Sequence, residues 1–253
     1  MPVTLPAHAA AVLPLVRLSR WGVPPVALVL GACAPDLSYV VETVGMAGGA
    51  EAHALPGLFL FCLPVGLVTL VWLEALVLPV LRRTLPEVGG VQWGRFLRTQ
   101  GLPRSGRTWG LAAGAVVLGA ATHVLWDGFT HRQMWPAEVL YPHLTLPVGH
   151  RALPLARVLQ HASSLVGSLV VLGWLVRRYP RLEPHAGGSW RSFLPVLLCS
   201  GTGAAVGLAL RLAHFERLGA LEAQLWWAFW PTATGALVGL TLGCVGSLLW
   251  SKS

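Results

Sequence analysis

A chain of 253 residues that is 55% hydrophobic and only 11% charged, with a mean hydropathy of +0.64, does not read as a soluble domain. Soluble domains carry about 25% charged residues. The formal net charge of +8 does not point to nucleic acid either, because the arginines gather in two connecting loops, which is how a topology signal looks. Several apolar runs reach the roughly 20 residues that cross a bilayer, so the expected class is all-α, a polytopic transmembrane helical bundle.

One integral membrane domain is expected over residues 1–253, with about five full spans after an N-terminal helical hairpin. Residues 1–54 read as that hairpin and a loop: Ala7–Leu18, a turn over Ser19–Pro25, then Val26–Val44. Met1–Pro6 lacks the basic start of a cleavable signal, so the first apolar stretch is expected to be retained. Pro35 should break the returning helix just before Asp36. Residues 55–176 hold the motif-bearing spans Leu55–Leu81, Trp109–Asp127 and Leu153–Val176. Pro56, Pro64 and Pro79 predict a kink in the first of them, which membrane helices tolerate. Residues 193–250 add Phe193–Leu212 and Trp226–Trp250. Cys33, Cys62, Cys199 and Cys244 are dispersed in apolar segments without a CxxC pair, which suits packing.

Arginine placement sets the expected orientation. Arg82, Arg83, Arg95, Arg98, Arg104 and Arg107 crowd one loop, and Arg177, Arg178, Arg181 and Arg191 crowd another. With five spans both loops, and Lys252, fall on one side, which should be cytoplasmic; the opposite loops carry only Arg132, Arg151 and Arg217. His53, Asp127, His131 and His161 then lie near the other, extracytoplasmic face. Within the hairpin, His8 and Asp36 are equidistant from Gly22, about fourteen residues and roughly 20 Å to either side. Both can therefore reach the depth of the other candidates.

The stretch His123-Val-Leu-Trp-Asp127-Gly-Phe-Thr-His131 carries the clearest chemistry. Each four-residue step on a helix turns only about 40°, so the two imidazoles and the carboxylate share one stripe. Imidazole with carboxylate is a ligand set for borderline divalent metals. The chain has only two aspartates, Asp36 and Asp127, and ionisable groups at membrane depth are functional candidates. Blander readings stand beside these. Trp126 and Phe129 fit an aromatic belt, Asp36 could cap a helix, and His8 and His53 could sit at the interface. Arg157 and His161 share a helix face that could hold a phosphate or lipid headgroups. His143 and His150 read as loop residues, and His185 and His214 as interfacial. Glu74 needs a partner but lies deeper toward the cytoplasmic side.

The segments His8-Ala-Ala-Ala-Val-Leu-Pro, Ala34-Pro-Asp36, His53-Ala-Leu-Pro-Gly-Leu-Phe-Leu-Phe-Cys-Leu-Pro, His123–His131 and Leu159-Gln-His161-Ala-Ser-Ser together resemble the bacterial membrane family known as the domain of unknown function numbered four-one-eight-four. The likeness covers about the first two-thirds of the chain. No activity comes with that family. Its pattern looks like the broader group of membrane-bound metal-dependent hydrolases, and that resemblance implies metal binding by His8, Asp36, His53, His123 and Asp127. No HExxH zincin motif is present.

The expected function is an inner-membrane metal-dependent hydrolase working near the extracytoplasmic face on a lipid or lipid-linked phosphoester. A divalent metal is expected, Zn first and Mn or Fe as alternatives. Asp127 or His131 would move protons, Arg157 would stabilise developing negative charge, and His161 would lie nearby. Two other classes stay open: a proton- or ion-coupled transporter, and a non-catalytic membrane protein with a structural metal. Membrane lipid is the expected partner and nucleic acid is not. The oligomeric state is not legible.

Overall fold

The computed structural model describes residues 4–45, 49–97, 99–149, 151–181, 187–213 and 221–250. Arg98, His150, His185, His214, Arg217 and Lys252 lie outside the described residues. The chain opens with helix α1 (Thr4–Val12), which tightens into a 3-10 stretch over Leu13–Trp21 and turns at Gly22, whose φ of +87° suits glycine. Helix α2 (Pro25–Cys33) returns alongside α1. It breaks at Ala34-Pro35-Asp36 and resumes as α3 (Leu37–Thr43), bent by 57°. The expected break at Pro35 is where the sequence placed it.

Five helices are long and apolar enough to cross a membrane. The first, α4 (Leu55–Thr84), is continuous rather than sharply kinked. It contains π-helical turns at Leu58–Cys62 and Leu73–Val77, immediately ahead of Leu63-Pro64 and Leu78-Pro79. A proline has no N–H to donate and its ring clashes with the carbonyl four residues back, and a wider turn accommodates both defects inside the helix. Helix α5 (Gly106–Thr130) starts at a capping box in which Ser105 and Thr108 bond reciprocally.

Between α5 and α6 the sequence predicts only a Pro-rich loop. Two short antiparallel strands form there instead, β1 (Thr145–Val148) and β2 (Arg151–Pro154), paired Thr145 to Pro154 and Val148 to Arg151. The third long helix, α6 (Leu155–Arg178), consequently begins two residues later than expected. The bundle is completed by α7 (Trp190–Ala213) and α8 (Leu221–Trp250).

Glycine sets the closest helix contacts. A Cβ on Gly31 of α2 would stand 2.2 Å from the Val116 carbonyl oxygen of α5, and one on Gly119 would stand 2.2 Å from that of Leu28. The α7–α8 pair is similar: Gly203 meets the Gly235 carbonyl, Gly207 meets Pro231, and Gly239 meets Cys199. In lipid, where apolar burial between helices gains little, such backbone approach is what holds helices together. The central core is formed by Val12, Leu28, Ala32, Leu70 and Val116. Outward-facing Leu60, Val68, Leu169, Leu210 and Leu242 are exposed, as expected of side chains that meet acyl chains. The chain is a multi-pass membrane protein with an all-α body and one small hairpin.

The two arginine-rich connections meet at one end. Pro86 bridges to Gly188, the Tyr179 hydroxyl accepts from Gln92 N at 2.9 Å, and Arg95 lies over the Tyr179 ring at 4.3 Å. Gly22, at the tip of the hairpin, packs near Leu111 early in α5, at this same end. The starts of α4 and α6 and the finish of α5 occupy the other end.

Candidate functional site

At that other end, four segments each deliver one wall of a polar cluster. Helix α1 brings His8, packed against α6 where Gly167 leaves no room beyond Ala7. The break between α2 and α3 brings Asp36. Its carboxylate makes no capping bond to α3, so both oxygens remain for the cluster. His53 sits between the helical turn Gly49–Ala52 and α4. That turn is held by the Cys62 thiol, which donates to the Ala52 carbonyl at 3.4 Å, and by Gly57, which allows the Glu51 carbonyl to approach. Helix α5 brings His123 and Asp127 from consecutive turns of one face.

Asp127 is the centre. Its Oδ1 lies 3.5 Å from His8 Nε2 and 3.5 Å from His131 Nδ1, while its Oδ2 lies 3.2 Å from His123 Nε2 and 3.8 Å from His53 Nε2. Asp36 Oδ1 is 3.8 Å from both His53 Nε2 and His123 Nε2. The His8 and His123 rings stack with centroids 3.8 Å apart. His8, Asp36, His123 and Asp127 are buried, and the His53 side chain is only 12% exposed.

His123 fixes the electronic character of the cluster. Its Nδ1 lies 2.7 Å from the Ala32 carbonyl oxygen, which can only accept, so Nδ1 carries the proton. In the neutral ring Nε2 then presents a lone pair to the lone pairs of Asp127 and Asp36. That carbonyl is available because turn bonds, Ala34 N to Gly31 O and Leu37 N to Ala34 O, replace the helical ladder around Pro35. His123 Nε2, Asp36 Oδ2 and His8 Nδ1 are all buried without a hydrogen-bond partner. A cation among these atoms would satisfy them, and this donor set of imidazole nitrogens and carboxylate oxygens suits Zn, Mn or Fe. Two overlapping groups could hold an ion, His8 with Asp36 and His123, and His53 with His123 and Asp127, the ligand atoms of each within 4.8 Å of one another.

His131 stands differently from its neighbours in the motif. It is the C-cap of α5, with extended backbone (φ −117°, ψ 119°) rather than a third helical position. Its side chain is 38% exposed, yet Nδ1 still faces Asp127. Its Nε2 meets the Gln160 side-chain amide at 2.9 Å. Gln160, which carries no chemical signal of its own in the sequence, is therefore an α6 residue that reaches the cluster's rim. Only the need of a rim histidine for a second partner could have suggested it. Arg157 is exposed on the first turn of α6, outside the buried cluster, and His161 is half-buried one turn later and belongs to neither candidate group. Glu74 is buried toward the arginine-rich end, where Oε2 accepts from Gln100 N at 2.9 Å and Gly101 N at 3.0 Å.

The family model for the domain of unknown function DUF4184 matches residues 1–249. The chain belongs to the DUF4184 family. The match takes in α7 and α8, so the kinship extends beyond the first two-thirds in which the motifs lie. No curated protein and no solved structure matches the chain. DUF4184 membership thus brings no reaction with it, and the chemistry of this DUF4184 protein rests on its own residues.

Proposed function

We propose that the protein is a membrane-embedded metal-dependent hydrolase of the bacterial inner membrane, with its site toward the extracytoplasmic face and a lipid or lipid-linked phosphoester as substrate. One observation carries the reading. The six His–Asp contacts lie between 3.2 and 3.8 Å, longer than the roughly 2.7–2.9 Å of charge-assisted hydrogen bonds. Two ligands held at about 2.0–2.2 Å around a tetrahedral ion stand about 3.3–3.6 Å apart, a range the six contacts bracket, so the spacing leaves room for a cation where direct hydrogen bonds would be shorter. Each candidate group offers three protein ligands, the number typical of catalytic sites that keep a position open; structural sites usually close with four.

One or two ions would be held among His8, Asp36, His53, His123 and Asp127, three of them at each candidate position. When bound, the metal would acidify a water and polarise the scissile group. Ala32 orients His123 through Nδ1 and thereby aims Nε2 inward. His131, half in the buried cluster and half outside, is better placed than the enclosed Asp127 to move a proton between site and solvent. Gln160 steadies its far nitrogen. Arg157, exposed on the first turn of α6, would meet the negative charge of an incoming phosphoryl group. The same end presents exposed Trp135, Val139, Leu140 and Leu144, an apolar rim suited to a substrate arriving from the bilayer.

The test is to incubate metal-loaded protein in nanodiscs with a bacterial lipid extract and follow phosphoester products by mass spectrometry. Product that a chelator abolishes and added Zn or Mn restores is the expected result. Bound metal with no product would assign the ion a structural role, and solute uptake without product would assign a transporter.

A further inference from the structure

A second feature opens toward the arginine-rich end of the molecule. A groove of about 920 Å³ opens on the outer surface between the α1 hairpin arm and the second half of α6. Its walls are apolar, with Leu13 and Pro14 on one side and Leu169, Val170 and Trp174 on the other. Its end carries four guanidinium groups, Arg17, Arg177, Arg178 and Arg181, and among the described residues that line it none bears a carboxylate. Leu169 and Val170 are exposed, so the trough faces the acyl-chain region and is not sealed inside the bundle.

Two of the guanidinium groups are held in place. Arg17 Nε donates to the Pro14 carbonyl at 2.8 Å, which leaves its terminal nitrogens out of that bond. Arg178 lies over the Trp174 ring at 5.0 Å. Because α6 runs from the histidine end to the arginine-rich end, this charge stands at one membrane surface and the apolar trough runs inward from it. Positive charge at a headgroup level above an apolar channel is the complement of one kind of molecule.

We propose that this groove binds an anionic phospholipid, its phosphate among Arg17, Arg177, Arg178 and Arg181 and an acyl chain along Leu13, Leu169 and Trp174. The lipid's phosphate stands on the arginine-rich side, away from the end at which His53 and His131 sit, so the lipid is a bound component of the fold and not the substrate of the cluster. It braces α1 against α6, and α1 is the helix that carries His8. The inference stands whether or not the histidine cluster proves catalytic.

The experiment adds phosphatidylglycerol or phosphatidylcholine to the delipidated full-length protein in detergent and reads bound lipid by native mass spectrometry. One phosphatidylglycerol per chain should survive collisional activation that strips phosphatidylcholine. Replacing Arg177→Gln, Arg178→Gln and Arg181→Gln together should weaken retention by about tenfold or more. Gly173→Leu is a second variant that keeps every charge: Gly173 lines the groove, and a Cβ there would meet nothing within 4 Å. Its side chain should enter the groove and also reduce retention, with the helical circular dichroism unchanged. Equal retention of the two lipids would overturn the proposal, as would displacement by millimolar inorganic phosphate or retention unaltered in Gly173→Leu.

Discussion

Asp127 stands within 3.2–3.8 Å of four imidazole nitrogens, and His123 turns Nε2 toward it because the Ala32 carbonyl accepts from Nδ1 on the other side of the ring. The residue types and their depth were legible in the sequence. The carbonyl that sets the tautomer was not, since every residue has one and only the break at Pro35 exposes it. Glu74 teaches the same lesson from the other end. The sequence marks it as a buried carboxylate in need of a partner, but its partners are the backbone N–H groups of Gln100 and Gly101, which no side-chain pattern encodes. Glu74→Leu strands both donors and should lower stability by about 1–3 kcal/mol for each that stays buried. A lower melting temperature with metal content unchanged is the expected outcome; loss of metal would mean the two ends are coupled.

At the scale of elements, the contact between α2 and α5 decides whether His123 can reach Ala32. It depends on Gly31 and Gly119, where a side chain would run into opposing backbone. Gly119→Ala should cost about 1–3 kcal/mol by overpacking and lengthen the His123–Ala32 contact. Gly114→Ala on the same helix meets nothing within 4 Å and should be neutral or slightly stabilising. Thermal melts of the two variants in one detergent check the pair, and equal melting temperatures would contradict the packing argument. The spans themselves were readable from hydropathy, and their ends were placed within a few residues. The π turns in α4 were not, because three prolines signal a disturbed helix without saying how it is relieved. The four-residue spacing of Gly203 with Gly207, and of Gly235 with Gly239, marks close-packing faces on α7 and α8, but hydropathy alone does not say which helices they pair. The β1–β2 hairpin was missed because its prolines and glycine read equally well as loop.

For the molecule as a whole, arginine placement puts both basic loops at one end and His53, His123 and His131 toward the other. The bridge between Pro86 and Gly188 bears out the shared end of the loops. Which membrane face each end meets is testable by impermeant thiol labelling of single cysteines placed at Ser105 and Thr145. Thr145→Cys should react in right-side-out membranes and Ser105→Cys only in inverted ones; the reverse pattern would turn the site toward the cytoplasm. Convergence of His8, Asp36, His53, His123 and Asp127 from four segments follows from their depth in the sequence, whereas the approach of Gln160 to His131 at the rim depends on the packing of α6 beside α5. The central claim is that this buried cluster holds a divalent metal. Elemental analysis of the purified protein against Asp127→Asn, which keeps the size and removes the charge, tests it most directly. Near-stoichiometric Zn, Mn or Fe in the native protein and its loss in a folded Asp127→Asn is the predicted result; no metal in either, or equal metal in both, would contradict it.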